Sequence, residues 1–194
     1  MTNVTPEQMV TQTATMLDEM EKAKKLSTKV GLPKEKVGGK VYGDGSTVIS
    51  IGAVHEFGGT WTHPGGTNYG YATKQDADKG RIKFLKKGSG YAVLGKTKPH
   101  TITMPQRSFL RMPFLMFRDK IDNVLTKQFQ LLSEGKITAE QALGRVGAFA
   151  TNISKGAFTS RGYGKWKPSK KATGQTLIDK GILRGSITWF VGKA

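Results

Sequence analysis

The chain has 194 residues, enough for one folded domain with its own core, or one domain with an arm. A hydrophobic content of 37% and a mean hydropathy of −0.39 fall in the range of water-soluble folds, and no run approaches the ~18 apolar residues a membrane helix needs. The absence of cysteine excludes disulfides and thiolate chemistry, while 31 Lys and Arg against 14 Asp and Glu give a net charge of +17 that attracts polyanions and acidic protein surfaces.

The first predicted element is an amphipathic helix from about Pro6 to Thr28, within an N-terminal region spanning residues 4–30. Thr5 is placed to cap it, Pro6 suits the first helical position and Gln8 completes a capping box. Met9, Val10, Thr13, Met16, Leu17, Met20 and Ala23 recur at three- and four-residue spacing, which predicts a packing face. The start of the chain lacks a basic segment followed by an apolar run, so no signal peptide is read and synthesis is expected in the cytoplasm.

Lys29 to Leu32 and Thr47 to Gly52 are β-branched enough to predict two antiparallel strands. Ala53 to Phe57 then reads as a short helix closed by Gly58 and Gly59. His55 beside Glu56 is half of a zinc-binding pattern, but no second His lies four positions on and adjacent helical side chains point apart. Neither metal, cofactor nor catalytic role is assigned to the pair. Residues 60–90 are rich in Gly, Asn, Thr and Lys, with Trp61, Tyr69 and Tyr71 among turn residues. A segment of that composition predicts a long loop, mobile until it meets a partner, or a β-hairpin arm whose aromatics pack on a neighbouring subunit, with stacking of those aromatics on nucleic acid, beside Lys74, Lys79, Arg81 and Lys83, as the other reading. Tyr91 to Leu94 and His100 to Met104 read as a second strand pair.

A long helix is predicted from about Pro113 to Ser133, with Phe114, Leu115, Phe117, Ile121, Val124, Leu125, Phe129 and Leu132 as the best core candidates. Gly135 ends it. Thr138 and Gln141 form a second capping box, opening a helix to about Phe158 that makes a hairpin with the first. Gly144, Gly147 and Gly156 on this helix permit close packing. Thr159 to Lys165 reads as a flexible basic linker. Residues 160–194 then run as a basic loop, a helical turn capped by Asp179 and ending near Gly185, and a terminal strand from Ser186 to Val191. From Arg145 onward the chain carries ten basic residues against the single acid Asp179, so the positive surplus belongs to the second half.

Three segments resemble one family. Trp166-Lys-Pro168 followed by Leu177-Ile-Asp-Lys-Gly-Ile-Leu-Arg-Gly-Ser-Ile187 is similar to the C-terminal signature of tailed-phage virion-morphogenesis or tail-completion proteins, the Mu-like and related families, with Lys180 where that signature has Thr. Ala53-Val-His-Glu-Phe-Gly-Gly59 resembles the family's Ile-His-Glu-x-Gly element, and Met104-Pro-Gln-Arg-Ser-Phe-Leu-Arg111 its Ile-Pro-x-Arg-x-Phe-Leu element. The resemblance, in the family's order, covers residues 47 to 190 apart from the 60–90 loop. It implies a non-enzymatic component of the neck or top of the tail, acting in tail completion and head-to-tail joining as a homo-oligomeric ring, hexamer or dodecamer. Its expected partners are other phage neck and tail proteins, with genomic DNA passing nearby in weak, non-specific contact, and its expected location is the virion. The motif residues His55, Glu56, Gly58, Arg107, Phe109, Arg111, Trp166, Asp179, Gly181 and Arg184 are read as structural or interface groups, because Arg and carboxylate side chains form geometry-fixing pairs. Lys165, Lys167, Lys170, Lys171 and Lys180 form the expected basic contact surface. A non-specific nucleic-acid-binding module using the same basic region is the other reading, although no helix-turn-helix, finger or ribonucleoprotein signature accompanies it. The expected fold is α+β: one domain over residues 1–194, with an antiparallel sheet against the helical hairpin, the N-terminal helix outside and one long loop.

Overall fold

The computed structural model describes residues 5–42, 45–167 and 181–194. The chain forms two compact units, one made of residues 1–58 and 105–194 and the other of residues 59–104.

In the first unit, α1 (Pro6–Lys24) starts at the expected capping box, in which the Thr5 hydroxyl accepts the Gln8 N–H and the Gln8 side chain accepts the Thr5 N–H. The chain turns at Lys25 directly into β1 (Leu26–Gly31). After the short α2 (Lys34–Val37) comes α3 (Val48–Phe57), a correction to the strand expected over Thr47 to Gly52. Thr47 caps this helix by accepting the Ser50 N–H at 3.1 Å, and Val48, Gly52 and Glu56 are buried at four-residue spacing on one face. Local capping and a buried helical stripe outweigh the β propensity of Val48, Ile49 and Ile51. β1 therefore pairs elsewhere, antiparallel to the terminal strand β7 (Thr188–Lys193).

The remaining helices of this unit follow residue 104. α5 (Arg111–Met116) and α6 (Arg118–Ser133) replace the single helix expected from Pro113, because Phe117 leaves helical geometry and packs edge-on against Tyr163 at 4.6 Å. Pro113 sits in the first turn of α5, where its missing N–H is not needed. Most of the apolar residues expected to build the core from this stretch do not. Leu132 is buried, whereas Leu115 and Phe129 are exposed. The core helix is α7 (Ala139–Thr159), which opens on the expected Thr138–Gln141 capping box and buries a broad face, leaving Gln141, Arg145, Asn152 and Thr159 exposed on the other. It packs on α6 and on the β1–β7 ladder, whose register runs from Leu26 opposite Lys193 to Gly31 opposite Thr188. Gly147 makes that approach close: a Cβ there would stand 2.5 Å from the Thr28 hydroxyl and 3.0 Å from the Trp189 side chain.

The expected linker after α7 is a tight turn instead. Arg161 and Tyr163, together with Gly162 and Gly164, all have positive φ, and the Gly162 N–H bonds to the Ala157 carbonyl at 2.6 Å. The chain is thereby turned back so that Trp166 enters the core. α8 (Ile182–Ser186) begins at Gly181, which has a left-handed φ of 71°, and leads into β7 (Thr188–Lys193). Asp179 and the Leu177–Ile178 pair lie outside the described residues. The main core joins Val48, Phe109, Ala157, Phe158, Trp166, Leu183 and Ile187, and a smaller one joins Ala23, Leu132 and Ala139.

The second unit corrects the loop expected over 60–90. β2 (Gly59–His63) pairs antiparallel with β6 (His100–Met104), while β3 (Asn68–Tyr71) is the centre of a sheet flanked by β4 (Lys83–Phe84) and β5 (Ala92–Lys96). α4 (Lys74–Asp78) lies between β3 and β4. The strands expected at Tyr91–Leu94 and His100–Met104 exist but do not pair with each other. Short strands broken by glycine carry too little periodicity to be read from sequence. Gly70, for example, has the β5 backbone so close that no Cβ fits. The architecture is α+β, with small antiparallel sheets packed with helices.

Candidate functional site

Of the motif residues, His55, Glu56, Arg107, Phe109, Arg111 and Trp166 come together along the backbone from Arg107 to Arg111, at the entrance to α5. Glu56, the penultimate residue of α3 and only 5% exposed, points its carboxylate at this segment. Its Oε1 accepts the Ser108 hydroxyl at 2.7 Å and the Arg111 N–H at 3.0 Å, and its Oε2 accepts the N–H groups of Phe109 at 2.8 Å and Leu110 at 3.0 Å. Four donors occupy the roughly four lone-pair directions of a carboxylate. A buried charge is tolerable here because every direction is bonded and α5 presents its positive N-terminal end. The same saturation leaves Glu56 no lone pair with which to take a proton from a substrate or bind a metal.

Other elements hold the carbonyls of the same segment. The Ser154 hydroxyl of α7 donates to the Phe109 carbonyl at 2.7 Å, and the Trp166 indole donates to the Ser108 carbonyl at 3.3 Å. The Arg107 N–H donates to the His55 carbonyl at 2.8 Å, and the Gln106 amide to the Glu56 carbonyl at 3.2 Å. Phe109 is fully buried, with its ring 5.2 Å from Phe158, which in turn meets Trp166 edge-on at 5.7 Å. The cluster ties α3, the 105–111 segment, α7 and the turn after it into one hydrogen-bonded and aromatic hub.

The sequence-derived residues divide accordingly. Glu56, Arg107, Phe109 and Trp166 are buried in the hub. Arg111 is half exposed, its Nε 3.9 Å from Glu56 and its guanidinium 5.1 Å over the Phe57 ring. Gly58, at a φ of 68°, ends α3, and its N–H bonds to the Val54 carbonyl. Burial, reinforced by the Arg107 guanidinium, pushes the His55 imidazole down to about 4, so it is neutral at ordinary pH. Gly181 supplies the left-handed residue that starts α8, and the exposed Arg184 donates to the Lys155 carbonyl at 3.3 Å. Lys165 and Lys167 are exposed, whereas Lys170, Lys171, Asp179 and Lys180 lie outside the described residues. Among the described residues no cluster of three His, Asp or Glu side chains is placed to hold a metal ion.

Sequence reasoning missed Ser108 and Ser154. Ser108 lies two residues before Leu110, the N-cap of α5, which makes no side-chain capping bond, so the usual capping spacing does not point to it even though its hydroxyl accepts the Met112 N–H at 2.9 Å. Ser154 gives no signal either, since its partner lies 45 residues away. No protein-family model, curated protein or solved structure matches this chain. What the fold and the hub define is an α+β protein whose central polar cluster fixes the placement of elements.

Proposed function

We propose that the chain is a structural subunit of a tailed-phage particle, at the neck or the top of the tail, acting in tail completion and head-to-tail joining as a homo-oligomeric ring and without catalysis. The observation that carries the reading is the use of the motif residues. The elements resembling Ile-His-Glu-x-Gly and Ile-Pro-x-Arg-x-Phe-Leu meet in one hub with Trp166 of the C-terminal signature, and there the Glu56 carboxylate is consumed by four internal hydrogen bonds. Motif residues spent on internal geometry suit a protein selected for the shape and placement of its surfaces.

The positive charge of the C-terminal region belongs to this reading. A channel wall dense in Lys and Arg would hold DNA phosphates through counterion release and slow the passage of the genome. On this reading most of Lys165, Lys167, Lys170, Lys171, Lys180 and Arg184 act against acidic surfaces of adjacent ring proteins, where complementary fields steer assembly. Particles produced without this chain should accumulate as separate heads and tails, and purified protein should restore joining. Replacing these lysines by Gln should impair that restoration and weaken its salt dependence. Replacements that leave joining intact but change DNA retention would place the charges on the channel, and a protein that binds DNA and never restores joining would favour the nucleic-acid module.

A further inference from the structure

The stripe on α1 predicted as a packing face is mostly uncovered. Ala23 is buried and Met16 half-buried, but Met9, Val10 and Leu17 are each more than half exposed, with Met20 beside them. This helix is also acidic on balance in a chain of net charge +17: it carries Glu7, Asp18, Glu19 and Glu21 ahead of Lys22 and Lys24, and Glu21 is paired with Lys24. Glu19 is engaged inside the fold, accepting the Ala139 N–H at 2.6 Å. Glu7 and Asp18 make no ion pair among the described residues. Glu7 stands three positions before Val10 and Glu21 four after Leu17, so the acids line one edge of the apolar stripe.

The 59–104 unit carries the opposite combination. It holds eight Lys and Arg residues against Asp76 and Asp78, and Asp76 is already bonded to Lys83 at 2.8 Å. Phe84 is 76% exposed, the most exposed large apolar side chain described, and it lies across the sheet from Tyr69. Ile82, Val93 and Leu94 are also about half exposed or more.

Two copies of so basic a chain repel each other through most of their surface, which leaves the acidic helix as the element through which they meet without like-charge cost. Its complement in charge and in exposed apolar side chains is present in the same sequence but in a different place. A contact between unlike patches is heterologous, and such contacts propagate head to tail until they close into a ring or continue as a filament. We propose that α1 of one copy docks on the Tyr69–Phe84 sheet of the 59–104 unit of a second copy, with its apolar stripe over Phe84 and its acidic edge against Arg81, Lys86 and Lys87. The inference rests on the ring reading above and supplies its contact surfaces.

Charge reversal of the full-length protein tests it. The variant Glu7→Lys/Asp18→Lys/Glu21→Lys makes both patches basic, and Arg81→Glu/Lys86→Glu/Lys87→Glu makes both acidic. Each alone should lose self-association by ~100-fold or more in dissociation constant, from the several kcal/mol that like-charge juxtaposition costs. An equimolar mixture should reassemble, since each helix then meets an opposite sheet, and a chain carrying all six changes should assemble by itself. The substituted residues are exposed, and circular dichroism melts verify folding; Phe84→Ser, which removes apolar contact without altering charge, should also dissociate the assembly. If the wild type forms closed rings that neither reversal nor Phe84→Ser dissociates, the pairing of surfaces is overturned while the ring reading stands. A wild type that remains monomeric at tens of micromolar defeats both. If the acidic variant of the sheet loses binding of a labelled single-stranded oligonucleotide but assembles normally, the face is a nucleic-acid surface and the proposal is overturned.

Discussion

Glu56 shows how a buried charge can be purely architectural. Its four donors come from one short backbone segment, so the carboxylate acts as a template on which residues 108–111 are wound into the start of α5. Exchanging one oxygen for an amide nitrogen sets donor against donor at the Arg111 N–H if Oε1 is replaced, where the Ser108 hydroxyl can turn to accept, and at both the Phe109 and Leu110 N–H groups if Oε2 is replaced. Glu56→Gln should therefore cost about 2–5 kcal/mol of stability, read from the denaturant midpoint, because buried donors lose their partners. A Gln variant with unchanged midpoint would mean that the carboxylate serves something other than the fold. His55 offers a second test. Its depressed pKa of about 4 lies below the 6.5 of an unfolded chain, so the unfolded state binds the proton more readily between those values. The stabilising preference is complete above pH 6.5 and is lost as the pH falls toward 4. A His55→Gln variant should lose less melting temperature across that window than the wild type, and equal slopes would contradict the burial of the imidazole.

Among the elements, the β1–β7 ladder against α7 depends on residues without side chains. Gly147 lies where a Cβ would press on Thr28 and Trp189, so Gly147→Leu should destabilise by roughly 1–3 kcal/mol despite the better helix propensity of Leu. Stability equal to wild type would show that the sheet yields freely at this point. A further element-level test uses the pairing of Gly59 with Met104, whose Cα atoms are ladder partners and hence about 4.5–5.5 Å apart. Replacing residues 60–103 by an Asn-Gly turn should leave a chain that still unfolds cooperatively, as measured by calorimetry; loss of the transition would show that the first unit depends on the second. What could be read in the sequence at this scale follows from the range of the interactions. Both capping boxes and the 139–159 helix were legible because their signals lie within four residues. The helix from Val48 was not, since its β-branched residues outvote a stripe that includes a glycine and a glutamate. The partners of Glu56 lie 52 to 55 residues away, and such contacts leave no local period to read. The 59–104 unit escaped for a related reason, as its central strand is four residues long and interrupted by Gly70.

For the whole molecule, the decisive feature is the segregation of charge. The acidic stretch of α1 and the basic remainder of the chain are opposite in sign, and each bears exposed apolar groups. Association built on that contrast should weaken as salt rises, because partly exposed charges are screened over about 8–10 Å near physiological ionic strength. The central claim, a subunit whose residues are spent on holding shape and on joining copies, is tested most directly by native mass spectrometry of the purified full-length protein, with negative-stain imaging of the same sample. The account predicts a closed ring of one fixed copy number that dissociates at high salt. A monomer at every concentration tested, shifting in mass only when DNA is added, would contradict it.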